Sequence, residues 1–247
     1  MELFRSVIFV PGNRANMLDR ARNFTADVVM VDLEDSVPPG EKTTAMEMAK
    51  EWVPTLRRDG QRVMVRVNSL DTGLTRSELE AIVSPDLYGI SLGKVESTWN
   101  IGDVDRILSS IEPQAGVEPG SIKIVPWVEP ASALVDAREI GAASPRVIGL
   151  AFGAEDFTND MAIERSDTGE EVQVPRSLVP VAARAANVAS LDSPFVLFRD
   201  PGALLADAKR ARQMGYTGKF AIHPSQLDII NEVFSPSPEE IAYARKI

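Results

Sequence analysis

Asp27-Val28-Val29-Met30-Val31-Asp32-Leu33-Glu34-Asp35 is the stretch on which the fold turns. An unbroken apolar run, Val28 to Val31, shows no polar alternation and then meets three acids within four positions, Asp32, Glu34 and Asp35. A strand apolar on both faces is a strand covered on both faces, as in a parallel sheet packed between other layers. The acids at its carboxyl end mark the place where that strand leaves the core.

Working outward, the same grammar repeats. Strand-like runs are expected at Leu3–Val10, Asp27–Leu33, Arg62–Val67, Tyr88–Lys94, Ile122–Val128, Val147–Gly153, Val188–Leu191 and Lys219–Ile222. Helical patterns lie between and after them, at Asn13–Asn23, Pro38–Arg57, Thr75–Val83, Asn100–Ile111, Pro130–Ala143, Arg176–Ala186, Pro201–Met214 and Pro224–Val233. Proline near a helix start is well placed, because its missing N–H would lack an intrahelical partner anyway. Strict strand–helix alternation implies parallel strands joined by right-handed crossovers. Eight such units in 247 residues favour a closed TIM (β/α)₈ barrel, an α/β fold, over an open doubly wound sheet. No linker, low-complexity segment or glycine-rich dinucleotide fingerprint interrupts the pattern, so residues 1–247 read as a single domain with a C-terminal helix extension, Pro238–Ile247. That last helix lacks a C-cap signal, which leads us to expect that a C-terminal segment is missing beyond Ile247.

Composition removes several chemistries. The chain has no cysteine, so thiolate catalysis, thiolate metal sites and disulfides are excluded. Its single histidine, His223, rules out a multi-histidine zinc or iron site. Any metal site must rest on carboxylates and water, which favours a hard ion such as Mg²⁺, with Mn²⁺ as an alternative. A net charge of −10 argues against nucleic acid and anionic membranes as partners. No apolar run is long enough to span a bilayer, and the N-terminus reads as a strand and not a signal peptide. A cytoplasmic protein is the expectation.

In a barrel of this kind, the site sits at the carboxyl ends of the strands. Those ends deliver Asn13-Arg14, Glu34-Asp35, Arg66-Val67-Asn68, Lys94-Val95-Glu96, Glu129, Glu155-Asp156, Asp192 and His223. Charges at single strand ends are commonly solvated or capping. Together, so many acids on one rim would repel one another without a cation. Arg66 interrupts an apolar strand and requires an anionic partner if buried. His223 alone reads as a hydrogen-bonding or packing residue.

The ordered motifs resemble the citrate lyase beta-subunit-like proteins of the HpcH/HpaI aldolase superfamily, which include malyl-CoA, citramalyl-CoA and citryl-CoA lyases. The resemblance is carried by Val10-Pro11-Gly12-Asn13-Arg14, Val31–Val37, Val65-Arg66-Val67-Asn68, Lys94–Ser97, Val128-Glu129, Phe152–Asp156, Ala221–Gln226 and Pro236–Glu240, and it covers nearly the whole chain. It implies a Mg²⁺-dependent carbon–carbon lyase acting on a 3-hydroxyacyl-CoA, with coenzyme A as part of the substrate. Glu129 and Asp156 would ligate the metal. Arg66 would bind the carboxylate or enolate oxygen of the keto acid, and Glu34 and Asp35 would complete the catalytic set by orienting waters and Arg66. Arg14 and Arg20 would contact CoA phosphates. A homo-oligomer, a trimer or a multiple of it, is also implied, as is a C-terminal lid carrying an acid/base.

Two departures stand out. Leu92-Gly93-Lys94 replaces the family's usual Leu-Pro-Lys, and Leu191-Asp192-Ser193-Pro194 lacks the commoner aromatic residue after the aspartate. Three other readings stay open: a class II aldolase on free hydroxy-keto acids, a malyl-CoA-type thioesterase, and a carrier-dependent subunit of a larger lyase.

Overall fold

The computed structural model describes residues 4–58, 61–166 and 168–246. Its first half contains β1 (Ser6–Pro11), α1 (Ala15–Ala21), β2 (Val28–Asp32), α2 (Lys42–Arg58), β3 (Arg62–Val67), α3 (Thr75–Ile82), β4 (Gly89–Leu92) and α4 (Thr98–Ile111). Then come β5 (Lys123–Val128), α5 (Ala131–Val135), α6 (Ala137–Gly141), β6 (Gly149–Phe152), α7 (Ala154–Asp160) and α8 (Gln173–Ala185). The remainder is β7 (Ala189–Asp192), α9 (Pro201–Met214), β8 (Gly218–Ala221), α10 (Leu227–Phe234) and α11 (Pro238–Ala244). Leu3 of the expected first strand and Ile247 of the expected last helix lie outside the described residues.

All eight strands pair in parallel in chain order, and β1 closes on β8 to complete the barrel. Period-two alternation along the strands sorts their side chains into two apolar clusters. Val7, Val28, Met30, Met64, Val125, Trp127, Ala151, Leu191 and Phe220 fill the inside of the barrel. Ile8, Val29, Val31, Val63, Val65, Ile90 and Leu150 face the helix ring, where they meet residues such as Leu18, Val53, Leu79 and Val104. This double burial explains why the strands read as continuous apolar runs. Among the described residues, no helix is long and apolar enough to cross a membrane.

The sequence reading needs correction in three places. The single helix expected over Pro130–Ala143 is two short helices, because Asp136 leaves helical geometry at φ −98° and ψ 15°. Helix α7 begins directly after β6, so Glu155 and Asp156 sit in its first turn instead of at a strand end. There their charge is favoured by the exposed N–H groups of the helix start. Asp192 does not reach the rim at all. It is fully buried on the outer face of β7, bound by Arg176 through bonds of 2.7 and 2.6 Å and by Lys219 of the neighbouring strand.

Candidate active site at the carboxyl ends of the strands

The barrel interior ends upward in an aromatic floor. Phe9, Trp127 and Phe220 stack with ring centroids 4.5–5.8 Å apart. The Arg66 guanidinium lies over this floor, 4.6 Å from the Phe9 ring centre and 5.9 Å from that of Trp127. Stacking satisfies its flat face, and acids satisfy its edge. Asp32, the register partner of Arg66 on β2, accepts from Nε and Nη2 at 2.7 Å each. Asp35 accepts from Nη1 at 2.9 Å, and Glu34 Oε2 lies 3.2 Å from the same nitrogen. A guanidinium has five N–H donors, so among the described residues one hydrogen on Nη2 stays uncommitted. The anionic partner expected for a buried Arg66 is thus present, and the guanidinium is largely engaged.

Burial and charge set the acid strengths. Asp32 lies below the ordinary carboxylate range: burial alone would raise it, but the hydrogen bonds and charge of Arg66 outweigh that. Glu34 goes the other way, to about 7, through burial and the nearby Asp35 and Asp32, which the Arg66 charge offsets only in part. Its Oε1 is buried with no hydrogen-bond partner among the described residues. Glu129, at the exit of β5, is pushed up to about 8 by burial and then by Asp156 and Glu34. Asp156 is raised as well, by burial first and Asp35 next.

Lys94 faces these acids. Burial pulls its ammonium down, but Glu34, Asp35, Asp156 and Glu129 together hold it above its ordinary value. Its backbone is left-handed, with φ 51°, an uncommon conformation for a residue with a side chain. That turn aims the Lys94 N–H at Glu129 Oε2, 2.6 Å away. Beside it opens a cleft of about 330 Å³ whose wall includes Leu70, Leu92, Gly93, Lys94, Pro130 and Asp156.

Two glycines make room for the acids. A Cβ on Gly153 would lie 2.4 Å from Glu129 Cγ, and one on Gly93 would lie 2.8 Å from Glu34 Oε1. Gly93 is thus the departure noted above, and it stands directly against the unpartnered carboxylate oxygen. Arg14 and Arg20 are exposed, Arg14 as the residue preceding α1 and Arg20 in its last turn.

The oxygen-only donor set suits a hard divalent ion. Among the described residues no group of three or more acidic or histidine side chains forms a closed cage. Magnesium does not need one, since it commonly keeps waters and substrate oxygens beside one or two carboxylates. Glu129 and Asp156, both held toward their protonated forms by burial and neighbouring negative charge, fit that role: a cation would relieve what protons otherwise relieve.

The sequence reading placed Glu34, Asp35, Arg66, Glu129 and Asp156 in one neighbourhood, and the structure brings all five together. It did not find Asp32 as the anchor of Arg66, and it gave no role in the site to Lys94, Gly93 or Gly153. Asp32 and Lys94 were visible as strand-end charges. The β2–β3 register that pairs Asp32 with Arg66 is a three-dimensional fact.

A closed parallel barrel with paired acids, an engaged arginine and an open cleft at its carboxyl rim defines a TIM-barrel enzyme with a carboxylate-rich site. The chain belongs to the HpcH/HpaI aldolase/citrate lyase family, whose pattern it matches over residues 5–224. It is 34% identical over 245 residues to the citrate lyase subunit beta of Leuconostoc mesenteroides subsp. cremoris, covering 99% of this chain and 81% of that one. It is equally 34% identical over 243 residues to a (3S)-malyl-CoA thioesterase of Cereibacter sphaeroides, covering 98% and 81%. Its fold superposes with a TM-score of 0.80, at 27% identity and 98% and 84% coverage, on protein CitE from Mycobacterium tuberculosis in complex with magnesium, acetoacetate and coenzyme A. The family is one of enzymes.

Proposed function

We propose that this protein is a Mg²⁺-dependent lyase that cleaves, or in reverse forms, the C2–C3 bond of a short 3-hydroxyacyl-CoA, giving acetyl-CoA and a keto acid. The single observation that carries the reading is the rim itself: Glu129 and Asp156, both raised by burial and neighbouring carboxylates, stand beside an Arg66 locked by Asp32. Relatives named for citrate lyase beta and a solved relative holding magnesium and coenzyme A support the same choice.

Glu129 and Asp156 would hold the metal, which when bound supplies positive charge to the substrate hydroxyl and its adjacent carboxylate. Arg66, with its remaining Nη2 hydrogen, donates to a substrate oxygen at the floor of the site. Its orientation is fixed before substrate arrives, so no reorganisation is needed as charge develops. Glu34 Oε1, unpartnered and titrating near 7, is the group placed to hold the hydroxyl proton. The C2–C3 electron pair then passes to the thioester as an enolate while C3 becomes the keto carbon. Protonation at C2 completes acetyl-CoA. Arg14 and Arg20, both exposed on and beside α1, would hold CoA phosphates.

The thioesterase reading is favoured by one observation, the 34% identity to a (3S)-malyl-CoA thioesterase. Incubation with malyl-, citramalyl- and citryl-CoA, with Mg²⁺ present, separates the two. Acetyl-CoA with a keto acid is the lyase outcome. Free CoA with an intact hydroxy acid would replace the lyase by the thioesterase, and turnover of free hydroxy-keto acids alone would leave the aldolase.

A further inference from the structure

Beneath the rim lies an acid that touches none of the site groups. Glu78, on α3, is 2% exposed and has no ion pair among the described residues. Both of its oxygens are taken by Asn68: the backbone N–H donates to Oε2 at 2.8 Å and Nδ2 donates to Oε1. The other Nδ2 hydrogen goes to the carbonyl of Leu33, 2.9 Å away. Lys42 Nζ meets the same segment from another direction, donating to Leu33 O at 2.8 Å and Glu34 O at 2.7 Å. Glu34 and Asp35 follow at once, and both reach Arg66.

We propose that Glu78 is a positioning residue: acting through Asn68, it fixes the Leu33–Glu34 backbone and so sets where Glu34 and Asp35 meet Arg66. This rests on the reading of the rim as the active site. A buried carboxylate without a direct ion pair is costly, and a scaffold acid is ordinarily paired; burial raises Glu78, and the nearby charge of Lys42 offsets this only in part. Glu112 shows the contrast, equally buried but forked by Arg146. Glu78 instead presents two acceptors to the two donors of one asparagine. Glutamine cannot replace it, because its amide nitrogen would face an N–H. With Asn68 loosened, one of the two donors on Leu33 O is lost, and Lys42 alone holds that carbonyl, while Leu33 N–H to Arg66 O and Glu34 N–H to Asp32 Oδ1 keep the strand-side hold.

The experiment compares wild type, Glu78→Gln, Glu78→Asp and the double variant Asn68→Asp/Glu78→Gln by thermal midpoint, by hydrogen exchange of the 33–37 segment, and by kcat and KM. Glu78→Asp keeps the acid but, one methylene shorter, draws both acceptors back from Asn68, and so tests the site even where Glu78→Gln fails to fold. Both single variants are expected to raise exchange at 33–37 and to lower kcat about tenfold, with KM for the CoA thioester within about twofold. The double variant re-matches donor to acceptor between positions 68 and 78 but sets an acceptor oxygen against Leu33 O in place of the amide. It should therefore recover part of the midpoint but neither the exchange nor kcat. Recovery of all three together, or unchanged exchange and kcat in a folded single variant, would overturn the proposal. Raised exchange in a protein whose wild type turns over no thioester would sink the lyase reading and leave the role of Glu78 standing.

Discussion

Arg66 and Asp32 occupy one register position on adjacent strands and close two parallel N–H···O bonds of 2.7 Å each. The pair is buried, with side-chain exposures of 10% and 1%. Removing one partner of such a pair leaves a stranded charge, at a cost of about 3–5 kcal/mol. In Asp32→Asn, Glu34 and Asp35 still face the guanidinium, so the loss should fall near the lower end, about 3 kcal/mol. Urea denaturation measures it. A loss under about 1 kcal/mol would show that Asp32 is dispensable as an anchor.

Stability should depend on pH in an unusual direction. Glu34 and Glu129 titrate at about 7 and about 8 in the folded protein, above their ordinary value of 4.5. Folding therefore retains protons that the unfolded chain releases, and the stabilisation is fully present only below about pH 4.5. It fades as pH rises through 7 and 8. In chelator, the thermal midpoint should fall from pH 5 to pH 8.5, and Glu129→Gln should flatten that fall. Mg²⁺ should restore more of the midpoint at pH 8.5 than at pH 6, because proton and cation compete for the same oxygens. A midpoint that rises with pH in chelator would contradict these assignments.

Gly153→Ala places a methyl 2.4 Å from Glu129 Cγ and must displace that side chain. Mg²⁺ affinity, read by calorimetry, should weaken at least about tenfold, the scale on which ligand-supporting residues act. Gly102→Ala on α4 is the control: nothing lies within 4 Å of its new Cβ, so it should leave metal affinity alone. Helix propensity predicts a gain of about 1 kcal/mol there.

Arg14→Ala and Arg20→Ala should each raise KM for a CoA thioester about tenfold, the value of one charge-assisted phosphate contact, with kcat little changed. Added salt should narrow the difference. Equal KM values in wild type and variants would remove the CoA handle from α1.

The barrel was legible because both faces of each strand are buried, so hydrophobicity runs from Val28 to Val31 in β2 and from Val63 to Val65 in β3 before a charge intervenes. The rim acids were legible because they stop those runs. Helix α7 was hidden by its seven-residue length and its acidic first turn, which looks like a loop. Asp192 misled because β7 faces inward and outward alternately, and one residue of register decides whether a strand-end acid sees the site or Arg176. The pairing of Asp32 with Arg66 and the reach of Glu78 to Leu33 through Asn68 depend on contacts between residues 34 and 10 positions apart, which no local pattern encodes.

The most direct measurement is product release from malyl-, citramalyl- and citryl-CoA by wild type, Glu129→Gln and Asp156→Asn across a Mg²⁺ titration. The expected result is keto acid and acetyl-CoA in equal amounts, dependent on Mg²⁺ and lost in both variants. Keto acid released by either variant at the wild-type rate, or by wild type in excess chelator, would contradict the assignment of this rim as a metal-assisted carbon–carbon lyase site.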